Sequence, residues 1–209
     1  NIYHLATNEE VIKGPSESMS KSKKNVVDPE NIINEYGADT ARLFMLSDSP
    51  PERDISWSIS GINGAWKFTQ KFWRVINSCE EVFTINLDEE PKDFTADSIE
   101  FRKIVHKHLK SITNSIENFQ MNVAVAKIHE LTNEISLFKT NNEIEKWCKK
   151  EALVILLRVV EPIMPHLAEE CWGQIGNKGS IIEVKWPKFD EKLLKNENVI
   201  IIVQINGKK

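Results

Sequence analysis

Apolar residues recur at every third or fourth position through most of the chain beyond residue 58. This period is the one that a helix with a single buried face requires. The first segment with this period starts at about Ser58, and three further segments begin near Asp93, Asn122 and Asn142. The pattern predicts an up-and-down bundle of helices. In the first segment the predicted buried positions are Ile62, Ala65, Phe68, Phe72, Val75, Ile76 and Cys79.

The limits of the later helices are indicated by polar and proline residues. Asp97 is predicted to cap the second long helix, since an aspartate side chain can accept from the first backbone amides. Pro162 and Pro165 divide the last segment into two helices, because proline cannot continue an unkinked helix. The predicted buried face of the second helix consists of Val105, Leu109, Ile112 and Ile116.

The first part of the chain has a different pattern. Residues 1–13 alternate enough to form a strand or one arm of a hairpin. Gly14 and Pro15 break regular structure, and the serine-rich run after them has no apolar face to bury, so we expect an exposed loop. Asp28 has the features of a helix N-cap, with Pro29 at the first helical position.

Two short helices are predicted after this loop. Gly37 is suited to end the first one. The second runs to about Ser47, and Ser49 with the two prolines after it prevents its continuation. Residues 53–58 are then expected to form an extended segment in which Ile55 and Trp57 pack against the rest of the protein.

The last part of the chain favours β-structure. After Gly176 the β-like runs are residues 180–187 and 198–206. The chain opens without methionine and ends just after the second run, so we expect a fragment of a longer protein.

Composition and charge exclude some classes of protein. With a net charge of −4 and a pI near 5.8, the chain is not a nonspecific polyanion binder, although a basic patch on one face would still allow RNA binding. No apolar run is long enough to span a membrane. Cys79, Cys148 and Cys171 lack metal-ligand spacing and are expected to be reduced, mostly buried thiols of a cytoplasmic protein.

The exposed loop contains a specific order of residues. On composition alone, a lysine-rich serine loop is most often only solvated. However, Met19, Ser20, Lys21 and Ser22 are followed by two more lysines and Asn25, and this order resembles the signature loop of class I aminoacyl-tRNA synthetases, written KMSKS. Residues 18–25 are called the signature loop below. It departs from the family at Ser18, which replaces the first lysine of the motif.

The resemblance implies a role for this loop in amino-acid activation. Pyrophosphate leaves ATP in that reaction, and mobile cations and hydroxyl donors can stabilise the negative charge that develops on its oxygens. The resemblance therefore assigns ATP binding to Met19, Ser20, Lys21 and Ser22, with Lys21 as the catalytic residue that contacts the triphosphate. Because Ser18 replaces a lysine and so removes one positive charge, we expect weaker binding of ATP.

Three further stretches extend the resemblance to bacterial-type leucyl-tRNA synthetases. They are YGADTARLFMLSDSPPERDISWSISGINGAWKF, residues 36–68; VEPIMPHLAEECW, residues 160–172; and VQINGK, residues 203–208. The family implies a mainly α fold in three parts: the edge of a Rossmann-type catalytic domain with the signature loop and the stem-contact fold, an anticodon-binding-type helical bundle, and the β start of a small C-terminal domain. The corresponding ranges are residues 1–58, 59–176 and 177–209.

The family also implies the reaction and its participants. The full enzyme would be a leucine-tRNA ligase that uses ATP with Mg²⁺, leucine and tRNA(Leu), and it would be a cytoplasmic monomer that binds no membrane. The bundle would support the body of the tRNA. The chain lacks the His-Ile-Gly-His motif, the leucine pocket and the editing domain, so we expect this fragment to be inactive alone, and no cofactor or metal is expected in it.

One helical stripe is the candidate tRNA interface. Lys67, Lys71 and Arg74 are spaced by four and three positions on the first long helix, and cations in one register can contact phosphates. The alternative is the ordinary solvated face of an amphipathic helix. A second basic stretch is more often of that ordinary kind; it consists of Arg102, Lys103, Lys107 and Lys110.

The remaining polar and aromatic residues indicate structural roles. Asp39 is a candidate helix cap, while Glu35 and Arg42 are structural candidates. Core or surface positions are expected for His106, His108, His129 and His166. Packing rather than base stacking is expected for Trp57, Trp66, Trp73, Trp147, Trp172 and Trp186.

Two other functions stay open. A valyl- or isoleucyl-tRNA synthetase would share the fold, although residues 54–68 contain the leucine-type Trp-Ser strand. A noncatalytic helical module would bind RNA through the bundle, indifferent to ATP, with the serine loop as a linker.

Overall fold

The computed structural model describes residues 2–12, 14–15 and 17–195. The described part is mostly helical, which confirms the predicted mainly α class. The strands are β1 (Ile2–Tyr3) and β2 (Glu10–Val11). The helices are α1 (Pro29–Tyr36), α2 (Ala38–Ser47), α3 (Ile59–Asn77), α4 (Ala96–Glu117), α5 (Met121–Leu137), α6 (Glu143–Val160), α7 (Pro165–Gln174) and α8 (Glu191–Leu194).

The start of the chain, predicted as a strand or one arm of a hairpin, forms a complete hairpin of two short strands. Strands β1 and β2 are antiparallel, with Ile2 opposite Val11 and Tyr3 opposite Glu10. The turn between them is closed by the His4 amide, which donates to the Glu9 carbonyl at 2.9 Å. The hairpin leads directly to the signature loop.

Helices α1 and α2 follow the loop as predicted. The Asp28 side chain accepts from the Glu30 amide at 2.9 Å and caps α1, whose first residue is Pro29. Gly37 ends α1 with φ of +83°, a conformation that L side chains rarely adopt. Because Gly37 is the single residue between the two helices, α2 is held close to α1.

The long helices pack as a bundle around one hydrophobic core. All seven residues predicted to be buried in the first long segment are buried, six of them on α3 and Cys79 just after it. Helix α4 packs on α5 and α6, α5 on α6, and α6 on α7, while α3 lies against α5 and α7. Leu43 and Phe44 of α2 belong to the same core, so the segment after the signature loop is packed against the bundle. The domain boundaries after residues 58 and 176 stay predictions.

Gly61 allows a close approach between α2 and α3. A Cβ atom at this position would lie 2.5 Å from Cε2 of Phe44, a side chain that is almost fully buried and cannot move aside. Phe44 also makes an edge contact with Trp57, with ring centroids 5.2 Å apart. Residues 54–58 belong to no helix or strand, the backbone of Ser58 is extended, and Ile55 and Trp57 pack against the core as predicted.

Two predictions about local structure are wrong. Helix α4 is capped by Thr95, whose side chain accepts from the Ser98 amide at 3.1 Å, and Asp97 lies in the first turn instead. The first β-like run after Gly176 contains a 3₁₀ turn at Ile181–Glu183, because Ile181 folds back to bury its side chain beside α7. The second β-like run, residues 198–206, lies outside the described residues.

A buried ion pair joins α4 to α6. Arg102 donates to both carboxylate oxygens of Glu151, from Nε at 2.8 Å and from Nη2 at 2.9 Å. Its guanidinium lies 4.4 Å from the ring centroid of Phe94 and 3.3 Å from the Glu90 carboxylate. Arg102 thus also attaches the segment that precedes α4 to the bundle. Burial works to raise the pKa of Glu151, but the contacts with His106 and Arg102 hold it below its usual value.

The three cysteines are free thiols, as predicted, and all are buried. Burial raises the pKa of Cys148 to about 11 and that of Cys171 to about 12, so both stay protonated at neutral pH. None of the helices in the described ranges is both long and apolar enough to cross a membrane.

His129 links the first and third long helices and makes stability depend on pH. Its ring stacks on Phe68, with centroids 3.5 Å apart, and burial together with the nearby charge of Lys71 lowers its pKa to about 4. Below pH 6.5 the unfolded chain binds a proton that the folded chain does not bind. Stability is therefore expected to fall between pH 6.5 and 4, and His129→Gln removes this contribution.

Urea unfolding at pH 7 and pH 5 measures the effect. We expect the parent chain to lose about 1 kcal/mol more than His129→Gln over this interval. His4→Gln is the control, because His4 lies exposed in the hairpin turn. Equal losses for the parent and His129→Gln would contradict the assignment of a neutral, packed His129.

Candidate nucleotide-binding loop and nucleic-acid interface

The signature loop is an ordered turn that is held by its own polar groups. The Ser20 amide donates to Oδ1 of Asn25 at 2.8 Å, and Nδ2 of Asn25 donates to the Ser18 carbonyl at 3.4 Å. The hydroxyls of Ser20 and Ser22 lie 3.1 Å apart. Lys24 adopts φ of +52°, which turns the chain toward α1. Asn25 thus closes the loop across its base.

The cations of this loop differ in their surroundings. Lys23 pairs with Glu17 at 2.8 Å, so part of its charge is neutralised. Lys21 and Lys24 are exposed and make no ion pair with any residue that the structure describes. Met19 is also exposed. The geometry leaves Lys21 and the Ser22 hydroxyl available to a ligand outside the loop.

A largely apolar groove of about 1020 Å³ lies between the signature loop, α1, α2 and residues 54–57. Met19 and Asn25 of the loop line one side. Ile33 and Met45 line the helical side, and each of them remains about half exposed. The loop is therefore placed at the edge of a groove with an apolar wall.

The predicted RNA-binding residues are brought to one side of α3. Lys67 and Arg74 are exposed on its outer face. Lys71 lies nearer to α5 and is half-buried, and its ammonium donates to the side-chain carbonyl of Asn133. Two of the three cations are thus open to a phosphate, while the third is partly engaged within the bundle.

The second basic stretch is divided between two roles. Arg102 is committed to the ion pair with Glu151. Lys107 is exposed and lines a small surface pocket of about 260 Å³ with His108 and Lys127. Lys127 is paired with Glu130 at 2.7 Å, which lowers the positive charge there. In the described ranges, no three His, Cys, Asp or Glu side chains are grouped so that they could hold a metal ion.

Three residues that support the site were not predicted to do so. Glu17 pairs with Lys23, and Asn25 closes the loop by hydrogen bonds. An asparagine next to a turn is a sequence signal that could have predicted the role of Asn25. Asp39, a candidate helix cap, lies in the first turn of α2 and accepts from the Leu167 amide, so the helix that it caps is the distant α7. The partner is 128 positions away in the chain, so local patterns could not indicate it.

Comparison with known families agrees with these positions. Residues 99–209, more than half of the chain, match the family described as the anticodon-binding domain of tRNA ligase. The chain belongs to this family of anticodon-binding domains. Residues 5–58, which include the signature loop, match a second family, the class I tRNA synthetases for I, L, M and V.

Several curated relatives of this chain are leucine–tRNA ligases. The chain is 46% identical over 205 residues to a leucine–tRNA ligase of Parvibaculum lavamentivorans, and 48% identical over 205 residues to one of Ehrlichia chaffeensis. In both cases the match covers 98% of this chain but 24% of the relative. The chain thus spans about a quarter of the length of these relatives. These matches confirm the predicted resemblance to leucyl-tRNA synthetases.

Two solved structures resemble the anticodon-binding chain. The LeuRS of Agrobacterium radiobacter K84, in a ternary complex with tRNA and LeuAMS, is 27% identical and covers 91% of this chain with a TM-score of 0.77; the match covers 24% of that enzyme. The methionyl-tRNA synthetase of Mycobacterium tuberculosis covers 73% of this chain with a TM-score of 0.60, and the match covers 35% of that enzyme. At 17% identity the second likeness concerns the fold alone.

Proposed function

We propose that this chain is part of a leucine-tRNA ligase, which activates leucine with ATP and transfers it to tRNA(Leu). The chain supplies the signature loop, which closes over ATP, and the helical bundle, which supports the tRNA. The observation that carries this proposal is the signature loop: its Lys21 is exposed and makes no ion pair with any described residue, and its Met19 and Asn25 line the groove, in a chain similar to leucine–tRNA ligases. Leucine-dependent exchange of pyrophosphate into ATP by the full-length protein tests it.

The loop acts on the leaving pyrophosphate. ATP is used as its Mg²⁺ complex, and charge builds on the pyrophosphate oxygens as the bond to the α-phosphate breaks. Lys21 places a positive charge there, and Ser20 and Ser22 donate hydrogen bonds, so the transition state is stabilised more than the bound substrate. Asn25 keeps these groups in one turn before ATP arrives.

The replacement of the first motif lysine by Ser18 leaves two candidates for its charge. Lys23 is the weaker one, because Glu17 already pairs with it at 2.8 Å. Lys24 is exposed at the end of the turn and is the better candidate. We therefore assign ATP contact first to Lys21, with Lys24 as a secondary cation.

The bundle contributes contacts to RNA, with tRNA(Leu) as its partner. Lys67 and Arg74 are exposed on the outer face of α3, the first helix after the segment that carries the loop. A phosphate backbone needs positive charge in the right register rather than base-specific groups. We propose that the full enzyme works as a monomer in the cytoplasm.

The charges of α3 are expected to determine tRNA affinity. Replacing both Lys67 and Arg74 with glutamate in the full-length protein should weaken tRNA binding about tenfold at low salt, because two phosphate contacts become repulsive. The slope of the logarithm of the binding constant against the logarithm of the salt concentration should become less steep by about two units, because two phosphate contacts are lost. Filter binding over a range of salt concentrations measures both quantities.

The matched control reverses two positive charges elsewhere in the bundle. Lys103→Glu with Lys107→Glu changes the same charge on α4 and should alter affinity less than threefold. If the α4 pair weakened binding as much as the α3 pair, the tRNA would lie on a different face from the one proposed.

Two alternative functions predict different results. A valyl or isoleucyl enzyme would show exchange with valine or isoleucine, whereas the two curated relatives described above are leucine–tRNA ligases. A noncatalytic RNA-binding module would bind RNA with no response to ATP and show no exchange. An exchange assay with a panel of amino acids separates all three.

A further inference from the structure

Asp39 connects the segment that carries the loop to the far end of the bundle. It lies on α2, and its side chain is only 9% exposed. Its Oδ2 atom accepts from the Leu167 amide at 2.7 Å. Its Oδ1 atom lies 2.9 Å from Nδ1 of His166 and accepts from Nη1 of Arg42 at 3.1 Å. Both carboxylate oxygens are thus used, and two of the three partners belong to α7.

Helix α7 depends on this contact, because it has no cap of its own. The first amides of a helix lack partners within the helix. Met164 is the N-cap residue of α7 and offers no side-chain hydrogen bond, and Pro165 has no amide hydrogen. The Leu167 amide is therefore satisfied by a carboxylate from another helix, which also complements the positive end of the helix dipole.

The same end of α2 is fixed at a second point. The hydroxyl of Thr40 lies 3.2 Å from that of Thr69 on α3. Helix α2 thus packs against α3, α5 and α7, and α1 packs on α2 and is linked to it through Gly37. Because the signature loop leads directly into α1, a shift of α2 moves the base of the loop.

We propose that Asp39 is a positioning residue for the activation reaction: by binding the start of α7 it holds α2 in place, and thereby the signature loop over ATP. This inference rests on the proposed function. Asp39 does not touch the substrate; it acts through α1, α2 and the loop. Asp39, Leu167 and His166 are called the Asp39 joint below.

The test uses the exchange reaction of the full-length protein with Asp39→Ala and Asp39→Asn. Asp39→Ala should raise the KM for ATP about fivefold, while the KM for the amino acid changes less than twofold, because the loop contacts the triphosphate. Asparagine keeps one acceptor oxygen for the Leu167 amide, so Asp39→Asn should lie between Asp39→Ala and the parent. Rates are expressed per active site, so unfolded protein does not contribute.

Arg102→Met is the matched control for stability. It removes a buried ion pair of the bundle and does not touch the Asp39 joint. We expect it to lower the melting temperature and to leave the KM for ATP unchanged. An unchanged KM for ATP in folded Asp39→Ala, or an equal rise in Arg102→Met, would overturn the inference.

A second measurement separates this inference from the proposed function. If the parent shows no exchange with any amino acid, the proposed function is wrong, and the joint is then tested by tryptic cleavage after Lys21 and Lys24. At a temperature where all variants are folded, Asp39→Ala should be cleaved there several-fold faster than the parent and Arg102→Met. Equal cleavage rates in the three proteins would show that Asp39 does not hold the loop.

Discussion

Replacing Lys21 with alanine in the full-length protein is expected to lower leucine-dependent exchange of pyrophosphate into ATP by about 100- to 1000-fold. The physical reason is that the lysine charge acts mainly in the transition state, where the pyrophosphate oxygens become more negative. Steady-state exchange with saturating leucine measures the loss.

The same change should leave the fold intact. Lys21 is exposed and makes no ion pair with any described residue, so its removal leaves no buried partner unsatisfied. Lys24→Ala is the matched control, since it removes an equal charge from the same turn and should cost less than tenfold. Near-parent exchange in Lys21→Ala would show that the loop has been assigned wrongly.

Replacing Arg102 with methionine is expected to lower the free energy of unfolding of this chain by about 3 kcal/mol. Arg102 and Glu151 are only 11% and 16% exposed at their side chains, so the change leaves a carboxylate buried without its bidentate partner. The packing of the guanidinium on Phe94 is lost as well. Urea unfolding measures the change, and the melting temperature should fall by about 6 to 12 °C.

Lys107→Met on the same helix is the control for this prediction. Lys107 is exposed, so its replacement should alter stability by less than about 0.5 kcal/mol. Arg102→Lys should lie between the two, because lysine keeps the charge but cannot form the bidentate pair. A loss of less than about 1 kcal/mol in Arg102→Met would mean that the pair contributes little to stability.

The bundle could be predicted from the sequence because its helices are amphipathic and long. A three-to-four-residue period that continues for five turns, as in α3, leaves few alternatives. The limits of α1 could also be predicted, because Asp28, Pro29 and Gly37 act on backbone groups within a few residues of themselves. Local signals of this kind survive in the folded chain wherever no distant contact competes with them.

The wrong predictions concern positions where the local structure is decided by a distant contact, or where two nearby residues could each act as the helix cap. Thr95 and Asp97 are both good caps, and the pattern alone does not show which side chain reaches the free amide. Residues 180–187 contain β-branched residues, but Ile181 gains more by burying its side chain beside α7 than by pairing in a strand.

The candidate site could be predicted only in part for the same reason. The order of residues indicated Lys21 and its neighbours, but the ion pair that occupies Lys23 depends on how the loop folds. The stripe on α3 was visible from helical spacing, whereas the engagement of Lys71 by Asn133 depends on the packing of α3 against α5. Contacts across the bundle, above all that of Asp39 with α7, have no signature in the nearby sequence.

The most direct test of the central claim is pyrophosphate exchange by the full-length protein with leucine, isoleucine, valine or methionine supplied separately. We predict exchange that depends on leucine and is at least 100-fold slower with each of the other three amino acids. Exchange that depends instead on valine, isoleucine or methionine would contradict the assignment to leucine. The absence of exchange with all four would contradict an enzymatic role and favour a module that binds RNA.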